Sequence, residues 1–181
     1  MHVFITGGTG LIGSAVVAEL LGNGHAVLAL ARSDASALAV EAAGATAIRG
    51  DLADLDTLRD GVAQSEGAIH LAFSNDFSSP EALAKAIADE TAALTTLGEA
   101  LLGSDRPLVT VSGTPYVPGR VSTEADPLST DGPVGGRART VTTILELASR
   151  GSPDRGGPPA AHSPQRGQGR IRRPADQYRA P

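Results

Sequence analysis

A glycine-rich turn, Thr6-Gly7-Gly8-Thr9-Gly10-Leu11-Ile12-Gly13, joins the short apolar run Val3-Phe4-Ile5 to a stretch with helical periodicity. Gly8, Gly10 and Gly13 meet the G-x-G-x-x-G spacing, with a strand before it and a helix after it, which is the context that spacing requires. Each glycine has a physical reason: the first permits a tight turn, the second lets backbone approach a diphosphate, and the third lets the helix lie close to the strand. A diphosphate would rest on the backbone amides, and the positive dipole end, of a helix beginning near Leu11. The turn therefore predicts a dinucleotide cradle formed by Gly7, Gly8, Thr9, Gly10, Leu11, Ile12 and Gly13.

The chain after the turn repeats the same strand-helix rhythm. Strand-like apolar runs recur at His2 to Ile5, His25 to Ala31, Ala47 to Ile48, Ala68 to Ala72 and Leu108 to Val111. Leu11, Ala15, Ala18 and Leu21 keep helical spacing until Gly22-Asn23-Gly24 supplies a stop. Asp34 to Ala43 reads as an Ala-rich helix closed by Gly44, with Asp34 as a candidate N-cap. Leu55, Leu58 and Val62 mark a third helix capped by Asp54, and Glu81 to Leu102, entered by Ser79-Pro80 and closed by Gly103, is the longest. Strands alternating with helices predict an α/β class: a Rossmann-like, doubly wound parallel sheet of about five strands with right-handed crossovers. Glycines and prolines from Gly113 to Gly136 break every period, which predicts a long loop at the carboxyl edge of the sheet, where ligands bind in this architecture. Arg137 to Arg150 reads as one more helix, with Val141, Ile144, Leu145 and Ala148 on one face.

The 181 residues divide at Gly151. Residues 1–151 carry 9 basic and 18 acidic side chains and form one predicted domain, whereas residues 152–181 carry 6 Arg and 2 Asp. An acidic body offers no electrostatic footprint for nucleic acid. With six Pro, four Gly and only Ile171 and Tyr178 as large apolar side chains, the last thirty residues cannot build a core. They read as a disordered tail or, the reading favoured, as the product of a shifted reading frame in place of the next strand. There is no cysteine, no basic leader before the first strand and no apolar run near the ~20 residues of a membrane span, so a cytoplasmic protein without membrane contact is expected. His2, His25, His70 and His162 lack metal-ligand spacing, Asp51, Asp54, Asp56 and Asp60 read as a solvated helix entry, and no G-x-S-x-G elbow is present. No metal is expected.

Taken in order, the glycine turn, Arg32-Ser33 after the second strand, Gly50-Asp51-Leu52 after the third, His70-Leu71-Ala72 in the fourth and Val111-Ser112-Gly113-Thr114 after the fifth resemble one group of proteins. The chain is similar to the extended or atypical short-chain dehydrogenase/reductases, the NAD-dependent epimerase/dehydratase family, over residues 1 to about 151. Beyond Gly151, where that family places a sixth strand and a C-terminal substrate-binding part, nothing matches, and that part is expected to be missing.

The resemblance implies a nicotinamide dinucleotide as cofactor, and charge argues which one. A NAD-preferring site presents an acid after the second strand to the ribose 2′-hydroxyl. Here Arg32 would attract a 2′-phosphate and Ser33 could hydrogen-bond it, which favours NADP, while Asp34 keeps NAD open. By resemblance Asp51 and Leu52 border the adenine, although Asp51 reads equally as a helix-entry acid, and Leu71 and Ala72 lie beside the cofactor. His70 reads as a core histidine. Short-chain reductases pair a Ser or Thr near the substrate oxygen with Tyr-x-x-x-Lys, in which the lysine lowers the tyrosine pKa. Ser112 matches the first, but Lys85 is the single lysine and the tyrosines are Tyr116 and Tyr178, so that pair cannot form. Aligned on the last helix, Arg137 and Val141 fall about where it would be. Tyr116 with Arg120 has the spacing, but Pro118 and Gly119 intervene. The expectation is therefore an NAD(P)-binding oxidoreductase or epimerase acting on a small carbonyl or sugar-nucleotide substrate, impaired in catalysis, with Ser112 and Tyr116 as its candidate catalytic residues. The alternative is a non-catalytic dinucleotide-sensing module. A homodimer through the two long helices is implied by resemblance.

Overall fold

The computed structural model describes residues 1–151, and over them strands and helices alternate. The elements are β1 (His2–Thr6), α1 (Leu11–Gly22), β2 (Ala26–Ala31), α2 (Asp34–Ala42), β3 (Thr46–Arg49), α3 (Leu55–Ala63), β4 (Gly67–His70), α4 (Pro80–Leu101), β5 (Leu108–Thr110) and α5 (Gly135–Gly151). The expected tail over 152–181 lies outside the described residues.

All pairings are parallel, in the order β3-β2-β1-β4-β5. Successive connections run outward from β1 to β3, then jump back to β4 on the other side of β1. The carboxyl ends of β1 and β4 therefore diverge into a crevice, the switch point at which open α/β sheets bind ligands. Alternation along the strands sorts side chains onto two faces. Phe4, Leu28 and Ala68 pack with Leu58, Val62, Ala93 and Leu97 beneath α3 and α4. Ile5, Val27 and Ala29 pack with Val17, Val40 and Ala45 beneath α1 and α2.

Local chemistry sets the ends of the elements. Ser79 caps α4 by accepting from the Ala82 amide, with Pro80 entering the first turn, and Asp54 caps α3 by accepting from the Thr57 amide. Gly24, Gly44 and Gly103, at φ of 77°, 92° and 72°, turn the chain out of α1, α2 and α4. Four expectations are corrected. Asp34 is not the cap of α2: Ser33 is, in a reciprocal capping box with Ser36, and Asp34 instead pairs with Arg49 at 2.9 Å. His25 belongs to the turn, because its amide donates to Leu20 O and closes α1. β4 stops at His70, leaving Leu71 and Ala72 beyond the strand, since its neighbours on both sides also end at that level, with Thr6 and Thr110 opposite His70. The last helix begins at Gly135, two residues before Arg137.

Candidate functional site

The crevice at the switch point is a cleft of about 420 Å³. Gly7, Thr9 and Gly10 come from the β1–α1 turn, Arg32 and Ser36 from the entry to α2, Asp51 and Leu52 from the loop after β3, Leu71, Ala72 and Phe73 from the loop after β4, and Lys85 and Asp89 from α4. Segments far apart in sequence thus converge on one concavity.

The turn at its centre requires glycine at Gly13 for the reason the spacing suggests and at Gly7 for a reason the spacing does not mark. The left-handed conformation falls on Gly7, at φ 76°, not on Gly8. A Cβ on Gly7 would stand 2.7 Å from the Ala72 amide nitrogen, so this residue lets β1 exit beside the segment leaving β4. Gly8 would meet only side chains at ordinary contact distance. A Cβ on Gly13 would collide with the Gly7 carbonyl oxygen and reach within 2.9 Å of Gly8 Cα, which is the close helix-on-turn packing expected for the third glycine. The Gly10 amide donates to Gly7 O at 2.9 Å, and Gly10, as N-cap of α1, carries no side chain to cover the helix end. The first-turn amides are therefore claimed by no side-chain cap, and Leu11, first in the helix, is 95% exposed. A bare helix N-terminus at the base of a cleft suits a phosphate. The donor set and the glycine cradle fit a dinucleotide diphosphate.

Arg32 is exposed at the cleft, whereas the Ser33 hydroxyl is engaged with the Ser36 amide and hydroxyl at 3.2 and 3.1 Å. Asp51 reaches the cleft, but one carboxylate oxygen accepts from the Ala53 amide at 2.8 Å. Leu52 joins the cleft to the apolar layer under α3. Ser112 and Tyr116 do not line the cleft. The Ser112 hydroxyl donates to the neighbouring Gly113 carbonyl, and Tyr116 is 76% exposed. Nor does Arg120 serve Tyr116: its guanidinium binds both carboxylate oxygens of Asp126, which the Thr123 amide also holds. That contact keeps the Asp126 carboxyl down at about 2, with the Arg120 hydrogen bond as the leading cause. Arg120 is thus ion-paired, not freely solvated.

Below the cleft lies a buried polar cluster that spacing alone did not reveal. Glu90, inside α4, accepts from Arg137 Nε at 2.8 Å and Nη2 at 2.6 Å, and the guanidinium stacks on the Phe73 ring at 4.1 Å. His70, fully buried at the end of β4, shares a 2.8 Å hydrogen bond between its Nδ1 and Thr6 Oγ1, while its Nε2 has no partner. Burial, and secondarily the positive charge of Arg137, push the imidazole down to about 4. His70 is a neutral core group, as read from sequence, but only half satisfied. Among the described residues no group of three or more His, Asp or Glu side chains comes together to hold a metal ion, and no helix is long and apolar enough to cross a membrane.

Comparison with known proteins agrees with this geometry. The model of the NAD dependent epimerase/dehydratase family matches residues 3–141. The chain is 41% identical over 153 residues to the uncharacterized protein C2A9.02 of Schizosaccharomyces pombe (strain 972 / ATCC 24843), covering 83% of this chain and 50% of that protein. It is 39% identical over 151 residues to the uncharacterized protein YLL056C of Saccharomyces cerevisiae (strain ATCC 204508 / S288c), covering 82% and 49%. The chain spans about half the length of the curated relatives it matches. In three dimensions it resembles the UDP-glucose-4-epimerase of Stenotrophomonas maltophila solved with bound NAD and formylated UDP-arabinopyranose, with a TM-score of 0.69, 21% identity, and coverage of 84% of this chain and 50% of that one.

Proposed function

This chain belongs to the NAD dependent epimerase/dehydratase family, and from that membership we propose that residues 1–151 are the cofactor-binding domain of an oxidoreductase or epimerase-type protein that holds NADP(H). The observation that carries the reading is the β1–α1 turn, where Gly13 packs against Gly7 and an uncapped helix N-terminus faces the switch-point cleft. The amides of Leu11, Ile12 and Gly13 hold the diphosphate. Arg32, for which no ionic partner is found among the described residues, binds the 2′-phosphate and selects NADP over NAD. Ser33 contributes little to that selection, because its hydroxyl and that of Ser36 beside it are both spent on the capping box of α2. Asp51, Leu52, Leu71 and Ala72 shape the adenine end. When bound, the nicotinamide ring accepts or delivers the hydride.

The substrate in this reading is a small carbonyl compound or a sugar nucleotide. Ser112 as the hydrogen-bond partner of its oxygen and Tyr116 as the proton donor would act from the loop after β5, which carries both outside the cleft lining. Arg120 is committed to Asp126 and does not pair with Tyr116, and hydride transfer without a Tyr-cation pair is weak. A second reading, a non-catalytic sensor of dinucleotide, is favoured by Arg137, which occupies the first turn of α5 near the expected tyrosine position and is locked to Glu90.

Calorimetric titration with NADPH and NADH tests the proposal. Saturable binding of NADPH, tighter than NADH by about tenfold and equalised by Arg32→Ala, is expected, the ratio corresponding to one charge-assisted phosphate contact. No saturation by either cofactor would end the reading. Turnover on a carbonyl panel then separates enzyme from sensor.

A further inference from the structure

We propose that Lys85 is a second phosphate ligand of the cleft, a cation that rests on Asp89 and transfers to a phosphate of the bound dinucleotide. The inference rests on the dinucleotide reading above and adds to it a residue that no motif marks.

Lys85 stands in the second turn of α4 and lines the same cleft as Gly10 and Arg32. Its Nζ donates to Asp89 Oδ2 at 2.6 Å, four residues along the helix, and Asp89 lines the cleft as well. The pair is unequal in mobility: the Lys85 side chain is 73% exposed and that of Asp89 only 34%. The ammonium can therefore swing on its flexible four-carbon stem while the carboxylate stays against the helix. Such an exposed helix pair favours the contact by only about twofold. A phosphate oxygen offers a stronger charge-assisted acceptor in a partly desolvated cleft, so the exchange runs toward the ligand. Charge balance points the same way. The ionisable groups lining the cleft are Arg32 and Lys85 against Asp51 and Asp89, formally neutral, although the ligand is a polyanion. Attraction must then come from individual cations aimed at phosphates, and Lys85 is the one besides Arg32.

Because Lys85 is the single lysine, amine chemistry on the folded chain reports it directly. Reductive methylation, read by peptide mass, should slow at Lys85 about fivefold or more in saturating NADPH while the N-terminal amine is unaffected. Lys85→Ala should weaken binding about tenfold and Lys85→Arg should recover most of it. Loss confined to NADPH assigns the 2′-phosphate, and equal loss for NADPH and NADH assigns the diphosphate. Unchanged affinities for both, with no protection from methylation, overturn the inference while leaving the dinucleotide reading intact. Absence of binding by the unaltered protein overturns both.

Discussion

Replacing Glu90 by alanine removes the only carboxylate that Arg137 contacts within the described residues. Glu90 is 2% exposed and both of its oxygens are bound by the guanidinium. Taking away one partner of such a pair leaves an uncompensated charge in low dielectric, which costs about 3–5 kcal/mol. The Arg137 side chain keeps roughly a quarter of its surface in water and its other face on the Phe73 ring, so the lower end applies, about 3 kcal/mol. For a domain of this size each kcal/mol moves Tm by about 2–4 °C, giving a fall of about 6–12 °C. Helical circular dichroism during thermal and urea unfolding measures it, with wild-type, Glu90→Ala, Arg137→Met and the double variant Glu90→Met with Arg137→Met in one series. The double variant should recover most of the loss, because replacing both charges by apolar groups of similar volume removes the desolvation cost. A single-site loss below about 1 kcal/mol, or a double variant no better than Glu90→Ala, would refute the claim that the pair clamps α5 onto α4 as a desolvated unit.

The same physics sets the outcome of other perturbations. His70 titrates near the ordinary 6.5 when the chain is unfolded and at about 4 when folded, so the unfolded chain alone takes up the proton between those values. The stability it contributes is complete above pH 6.5 and is lost as pH falls toward 4, on the order of 3 kcal/mol; a ring titration by NMR at or above pH 6 would contradict this. Gly61→Ala should destabilise by about 1–2 kcal/mol, since its Cβ would enter the buried Phe4 ring, 2.6 Å from Cζ, and overpacking outweighs the ~1 kcal/mol helix-propensity gain. Gly22→Ala, with open space around its Cβ, should be neutral or stabilising in the same urea assay. Asp54→Ala removes the cap hydrogen bonds to Thr57 and should cost about 1 kcal/mol, seen as a lower urea midpoint with an unchanged m-value.

Much of the site was legible along the chain because its chemistry is local. A run of glycines between an apolar strand and a helix has few backbone solutions, and Asp54, Ser79 and Gly103 mark helix ends through contacts spanning a few residues. The same reasoning misassigned the cap of α2 to Asp34, where Ser33 beside it had an equal chemical claim and geometry chose it, and the spacing did not mark Gly7 as the residue that takes the left-handed conformation. Tyr116 and Arg120 had suitable spacing, yet Asp126, six residues from Arg120, took the guanidinium.

The sequence by itself determined the alternation of strands and helices, the parallel class of the sheet and the position of the glycine-rich turn, since each depends on periodicity or on backbone freedom within a short window. Only the tertiary structure decided that Lys85, Asp89 and Phe73 share a wall with Gly10, that Glu90 meets Arg137 across 47 residues, and that His70 is left with one unpartnered nitrogen. Those contacts come from the order in which strands are laid beside one another and from the faces that two helices turn together, and no spacing along the chain encodes them.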